Sequence, residues 1–237
     1  MPPTAPTPTA LVTGASRGLG LALATELSRR GRRLVVDARD PARLAAAVAS
    51  LPRPDLVTAL PGDVADAAHR AALAAAAGDS LDLLVANASA LGPTPLPRLA
   101  DLAPAALEEL LRVNTVAPLA LVQAVLPALE RAGGTVVTVT SDAAVEAYEG
   151  WGGYGASKAA LDLLTAVLAV EHPRLRVLAV DPGDMATDLH AAADPGADPG
   201  TLAAPEDVAP ALLRLLDGGV PGPRVRVTDL VPAEGAR

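Results

Sequence analysis

Three short runs, Leu34-Val35-Val36, Leu83-Leu84-Val85 and Val177-Leu178-Ala179-Val180, are apolar at every position. A strand turns successive side chains to opposite faces, so such a run must be covered on both sides. Parallel strands packed between two layers of helices meet that demand. The runs belong to a series of candidate strands at Ala10–Thr13, Arg33–Ala38, Leu56–Leu60, Leu81–Ala86, Thr135–Thr140, Arg176–Val180 and Val225–Thr228. Between them lie segments rich in Ala and Leu, predicted as helices near Gly18–Arg30, Pro41–Ser50, Ala65–Ala77, Ala103–Arg112, Thr115–Arg131, Tyr154–Glu171 and Pro205–Leu216. Pro41, Pro104 and Pro205 suit a first helical turn, where no N–H is needed. Gly31, Gly78, Gly133 and Gly218 suit helix ends. Strand alternating with helix predicts right-handed crossovers and a doubly wound parallel sheet.

The chain has 237 residues and a formal net charge of −8, with no Phe, one Trp and two Tyr. A core of Leu, Val and Ala in one domain over residues 10–237 is therefore expected. The negative charge argues against nucleic acid as a partner. The absence of Cys excludes disulfides, thiolate metal sites and a Cys nucleophile. The three histidines, His69, His172 and His190, have no ligand-like spacing, so no metal is expected. Residues 1–9 are Pro/Thr-rich and lack the basic and apolar regions of a signal peptide; they read as a disordered arm. No apolar run looks long enough to cross a bilayer, so no membrane is expected and the default location is the cytoplasm. The stretch Asp194–Gly200, rich in Pro, Gly and Asp, is the best candidate for a mobile loop.

Two local patterns carry chemistry. The first strand runs into Thr13-Gly14-Ala15-Ser16-Arg17-Gly18-Leu19-Gly20 and then a helix. Glycines let backbone N–H groups approach a phosphate, and a helix N-terminus adds partial positive charge. Gly14, Ser16, Arg17, Gly18, Leu19 and Gly20 are the candidate phosphate-binding positions. The spacing is GxxxGxG, unlike the usual GxGxxG fingerprint. The second pattern is Tyr154-Gly155-Ala156-Ser157-Lys158, which holds one of the two tyrosines and the only lysine among nineteen basic residues. On a helix, positions four apart share a face. An ammonium beside a phenol favours the phenolate and is expected to lower its pKa toward acid–base work.

Together the TGASRGLG loop, the YGASK segment and the length resemble the short-chain dehydrogenase/reductase family, over essentially the whole chain from Ala10 to about Leu230. Other landmarks recur in order. Asp63-Val64 follows the third strand, where the family contacts adenine. Asn87-Ala88 lies in Ala86-Asn87-Ala88-Ser89, where the family usually has Asn-Asn-Ala-Gly. Asn114 matches the family's helix asparagine, and Ser141, thirteen residues before Tyr154, its catalytic serine. Asp181-Pro182-Gly183 follows the sixth strand, with Thr187 completing a PGxxxT pattern near nicotinamide and phosphates.

The resemblance implies a Rossmann-like seven-stranded sheet in the order 3-2-1-4-5-6-7. It also implies a hydride transfer between a nicotinamide and a small-molecule carbonyl or secondary alcohol. Tyr154 is then the acid/base, and Ser141 a hydrogen-bond partner of the reacting oxygen. Lys158 favours the phenolate and holds the nicotinamide ribose, and Asn114 positions a water between Lys158 and solvent. Tyr148 and Trp151 could line the substrate pocket or pack the loop. Met185 and Leu189 could form a lid or ordinary core contacts. Asp142 could address a polar substrate or be a solvated loop acid.

The end of the second strand, Val36-Asp37-Ala38-Arg39, leaves the cofactor to register. An acid there would bind the adenosine ribose of NAD, and an arginine would pair with the 2′-phosphate of NADP. Aligned on the apolar run, the NAD-type acid falls at Ala38 and the NADP-type arginine at Arg39, with Arg17 as a second basic position; NADP(H) is favoured over NAD(H). Other readings are an epimerase or dehydratase that uses nicotinamide transiently, and a non-catalytic dinucleotide sensor or scaffold. The helix Tyr154–Glu171 has little polar surface, and the resemblance implies pairing through it and Thr115–Arg131, so a homodimer or homotetramer built on these helices is expected.

Overall fold

The computed structural model describes residues 7–218 and 222–227. Its elements are β1 (Thr9–Val12), α1 (Gly18–Arg29), β2 (Arg33–Ala38), α2 (Pro41–Ala49), β3 (Val57–Pro61), α3 (Ala67–Ala77), β4 (Leu83–Ala86), α4 (Pro104–Leu111), α5 (Ala117–Ala132), β5 (Thr135–Val139), α6 (Gly152–Glu171), β6 (Arg176–Asp181), α7 (Asp188–Ala193), α8 (Pro205–Gly218) and β7 (Arg224–Arg226). Among the described residues the strands form one seven-stranded sheet ordered β3-β2-β1-β4-β5-β6-β7, parallel throughout. The fold is Rossmann-like, as the sequence predicts.

The apolar runs are divided between two cores. Leu34, Val36, Leu83, Val85, Leu178 and Val180 face one core, built with α1, α2 and α8. Val35, Leu84 and Val177, their neighbours in sequence, face the other, built with α3 and α5. Period-two alternation thus sends each strand's neighbours to opposite layers. The strand order reverses between β2-β1 and β4, with Val12 paired to Val36 on one side and Val85 on the other. A crevice beyond the strand C-termini opens at such a switch point.

Several boundaries differ from the sequence reading, each for a local reason. β1 starts at Thr9, inside the predicted arm, because its N–H donates to Asp82 Oδ2 at 2.7 Å and its backbone pairs with Arg33; residues 1–6 of that arm lie outside the described residues, as does Thr228 of the last predicted strand. α3 starts two residues late because Asp66 caps it through Ala68 N–H. α4 and α5 are joined by a π turn, Arg112–Val116, where the sequence suggested a break. The Asp194–Gly200 stretch folds into turns, with Asp194 and Asp198 accepting from the amides of Gly196 and Gly200. Contrary to expectation, Pro104–Ala132 and α6 are long and apolar enough to span a bilayer by length and composition. α5 and α6 instead lay Leu121, Val125, Leu129 and Leu168 into the second core.

Candidate active site

A cleft of about 860 Å³ lies over the C-terminal ends of the strands. One end is formed by the turn between β1 and α1. Gly14 has φ +68 and Gly18 φ +53, conformations that suit glycine. A Cβ at Gly20 would stand 2.3 Å from the Gly14 carbonyl oxygen and 2.6 Å from Asn87 Nδ2. Gly20 therefore closes the turn from behind and, unlike Gly14, Ser16, Arg17, Gly18 and Leu19, does not line the cleft. Asn87 Nδ2 donates to the carbonyls of Thr13 and Gly14, and the amides of Asn87 and Ala88 donate to Thr13 Oγ1. The loop is thus clamped by the segment after β4. α1 has no side-chain cap at its start, and its first residues, Gly18 and Leu19, line the cleft. That is the arrangement an anion such as a pyrophosphate fits.

The walls follow from the other strand ends. Asp63 and Val64 line the cleft beyond β3, where Asp63 accepts from Ala65 N–H at 2.8 Å. Pro182, Gly183 and Thr187 line it beyond β6. Gly183 N–H donates to Asp181 Oδ1, and Thr187 caps α7 through His190 N–H. Met185 and Leu189 face the same space. At the far end of β2, Asp37 and Arg39 are placed differently. Asp37 is 1% exposed and both its carboxylate oxygens are engaged, whereas Arg39 is exposed at the cleft rim. Arg43, which sequence reasoning missed, joins Arg17 at Asp188 of α7. Its signal was the Arg39–Arg43 spacing, which puts both arginines beside one strand end.

Ser141, Tyr154 and Lys158 meet at the other end of the cleft. α6 begins at Gly152, so Tyr154 and Lys158 fall on its first turns and one face. Gly155 lets that face approach the Asp142–Ala144 turn that follows β5, since a Cβ there would stand 2.4 Å from the Ala143 carbonyl oxygen. Lys158 is 2% exposed and donates to the Val139 carbonyl at 2.8 Å. Its ammonium lies 5.6 Å from the centre of the Tyr154 ring. Burial pulls the lysine down to about 8, opposed by Asp162. Burial also pushes the Tyr154 phenol up to about 12, with the Ser89 hydrogen bond pulling the other way. The expected lowering by Lys158 is therefore not what governs this site: desolvation of the phenol outweighs it.

Ser141 donates to Asp142 Oδ1 at 3.0 Å and accepts from Ala143 N–H. Its carbonyl accepts from Arg224 of β7. Asp142 is no free loop acid; it also receives the Tyr148 hydroxyl and Arg226. Trp151 lines the cleft and packs edge-to-face on Tyr154, with ring centres 5.6 Å apart. Tyr148 is a bridge between Glu146 and Asp142.

Asn114 is fully buried behind the cleft, in the π turn. Its amide donates to the Ala90 carbonyl and Ser157 Oγ, and its oxygen accepts from Ala90 N–H and Ser89 Oγ. It braces Ser89 and α6 rather than touching Lys158 directly. Ser89 is the second residue the sequence reading missed. Its signal was the departure from Gly at that position, which places a hydroxyl between Tyr154 and Asn114.

A doubly wound sheet with a phosphate-type turn and a Ser-Tyr-Lys cluster in one crevice defines a dinucleotide-binding oxidoreductase. The short chain dehydrogenase family model matches residues 8–198, and the chain belongs to that family. It is 36% identical to the short chain dehydrogenase penD of Penicillium thymicola, over 68% of this chain and 62% of that one. It is also 36% identical to dehydrogenase/reductase SDR family member 4 of Oryctolagus cuniculus, over 76% of this chain and 71% of that one. Among solved structures it is similar to an alcohol dehydrogenase of Thermococcus sibiricus complexed with 5-hydroxy-NADP. That match has 28% identity and a TM-score of 0.83, covering 93% of this chain and 96% of the other. The chain is an oxidoreductase of this family.

Proposed function

We propose that the protein is an NADP(H)-dependent reductase or dehydrogenase that interconverts a small-molecule carbonyl and a secondary alcohol. The observation that carries this reading is the convergence of Ser141, Tyr154 and Lys158 at one end of a cleft whose other end is a phosphate-type loop. The nicotinamide supplies or accepts the hydride when bound; the chain's residues do the rest. In reduction, negative charge develops on the substrate oxygen. The Tyr154 phenol, held protonated by its burial, donates the proton to that oxygen. The Ser141 hydroxyl turns from Asp142 to donate to the same oxygen and orient it. Lys158 keeps a cation beside the phenolate that remains and holds the nicotinamide ribose hydroxyls. Proton transfer of this kind contributes roughly 10²–10⁴-fold, with alignment of the reactants supplying much of the remainder.

The proposed cofactor positions follow the sequence expectation except at Gly20, which lies behind the cleft, and at Arg43, which joins them. Gly14 to Leu19 address the pyrophosphate, Asp63 and Val64 the adenine, and Asn87 and Ala88 the adjoining ribose side. Pro182, Gly183 and Thr187 hold the nicotinamide end. Arg39, with Arg17 and Arg43, addresses a 2′-phosphate. Support comes from the engagement of both Asp37 oxygens within the protein, which leaves the rim to arginine. Asn114 acts by bracing Ser89 and the first turn of α6.

A homodimer or homotetramer is the proposed assembly. Leu163, Val167 and Val170 are 67%, 44% and 80% exposed and form one stripe on α6.

The test is loss of absorbance at 340 nm when NADPH is mixed with a panel of ketones and aldehydes. Turnover with at least one carbonyl supports the reading; binding of NADPH with no turnover across the panel favours a dinucleotide sensor.

A further inference from the structure

His69, on α3, has no part in the reaction described above, yet its side chain is only 8% exposed and it faces a buried acid. We propose that Asp37 and His69 form a positioning pair that fixes the first turn of the phosphate loop and so sets the affinity for the nucleotide cofactor. The proposal rests on the reading that the cleft binds a dinucleotide.

Two consecutive amides of the loop end on one residue of β2. Gly14 N–H donates to Asp37 Oδ1 at 2.8 Å, and Ala15 N–H to the Asp37 carbonyl at 2.8 Å. Gly14 is the loop's first glycine, held at φ +68, and its amide orientation decides where the following amides point. The carboxyl oxygen that holds it is almost fully buried. A buried carboxylate oxygen without a partner is costly. Oδ2 is answered by His69 Nε2 at 3.1 Å, which donates in the tautomer that carries its proton there.

His69 reaches Asp37 only because Gly62 has no side chain: a Cβ there would stand 2.2 Å from His69 Nδ1. Gly62 in turn donates its amide to the Ala38 carbonyl at 3.0 Å. Gly62, Asp37 and Gly14 all line the cleft. The pair therefore ties three walls of the nucleotide pocket to one another: the phosphate loop, the end of β2 and the end of β3. Removing the imidazole leaves Oδ2 buried and unanswered. The carboxyl group then takes up a proton, which makes Oδ1 a weaker acceptor, or turns toward water, and the hold on Gly14 loosens in either case. Burial pushes Asp37 up, and the hydrogen bonds from Gly14 and His69 pull the other way.

The experiment is calorimetric titration of NADP⁺ and of 2′,5′-ADP, which lacks the nicotinamide half, into wild type, His69→Ala, Asp37→Asn and the double variant. His69→Ala is expected to weaken both ligands by about tenfold. Its kcat at saturating cofactor should stay within about twofold, because the catalytic cluster lies at the other end of the cleft. The double variant should bind no more weakly than Asp37→Asn alone, since the imidazole acts only through the acid. His69→Gln, which keeps a donor, should recover most of the affinity. If the alanine variant does not fold, comparing His69→Gln with His69→Leu makes the same distinction, a donor against mere filling of space. Unchanged affinity in His69→Ala, losses that multiply in the double variant, or equal binding by the Gln and Leu variants would overturn the pair's role. Wild type that binds neither NADP⁺ nor 2′,5′-ADP would instead overturn the cofactor reading beneath it.

Discussion

Lys158 holds its ammonium 5.6 Å from the centre of the Tyr154 ring, both buried on one face of α6. The cation is costly where it sits. It is 2% exposed, its direct partner is the neutral Val139 carbonyl, and burial lowers it to about 8 from 10.5. A chain that uses arginine at its other eighteen basic positions keeps this lysine at a site where an ammonium is hard to hold.

Lys158→Met should therefore be inactive yet more stable. Below pH 8 the folded protein must carry the buried ammonium, and the penalty is fully present. As pH rises from about 8 to 10.5 the folded form sheds the proton first, and the penalty disappears. Denaturant unfolding at pH 7 should show the variant more stable by roughly 1–3 kcal/mol. That gap should narrow by pH 10. A variant less stable than wild type at pH 7, or a gap that does not change with pH, would contradict the cost assigned to Lys158.

Ser89→Gly removes the hydroxyl that opposes the upward push on the Tyr154 phenol. In the alcohol-oxidising direction the rate rises with pH as the phenol ionises. In the variant that rise should move to higher pH, by up to about one unit. A pH–rate profile superimposable on wild type would mean that Ser89 does not act on the phenol.

Arg39→Ala should raise the KM for NADPH about tenfold or more while leaving that for NADH nearly unchanged, through loss of a charge-assisted contact to the 2′-phosphate. Initial rates with each cofactor at fixed substrate decide it. An equal change for both would remove Arg39 from the 2′-phosphate.

Val170→Glu places a carboxylate on the exposed stripe of α6, at its most exposed residue, where Val170 is 80% exposed. Light scattering at micromolar concentration should give a multiple of the chain mass for wild type and a lower mass for the variant. A wild-type mass of one chain, unchanged as concentration rises, would exclude the assembly.

Much of the fold was legible because its signals are local. Runs such as Leu83-Leu84-Val85 can be satisfied only between two layers, and the structure assigns alternate residues to the two cores. Gly14 and Gly18 mark a turn that demands positive φ. What could not be read depends on burial and on pairs distant in sequence. The direction of the Tyr154 shift is set by how little water reaches the phenol, which spacing to Lys158 does not encode. Asp37 read as an ambiguous cofactor ligand because its partner, His69, lies thirty-two residues away. α7 went unpredicted because its six residues carry no periodic pattern, and its Thr187 cap was already read as a cofactor position. Ser89 was visible as a departure from the family pattern, but only the fold brings its hydroxyl to Tyr154 and Asn114.

The proposed function depends most on Tyr154 as the proton donor in a hydride transfer. The most direct measurement is single-turnover oxidation of bound NADPH by Tyr154→Phe, beside a titration of NADPH into the same variant. Binding should stay within about threefold of wild type while the rate falls by at least about 10²-fold. Hydride transfer at a rate near that of wild type, with the cofactor bound normally, would contradict that role.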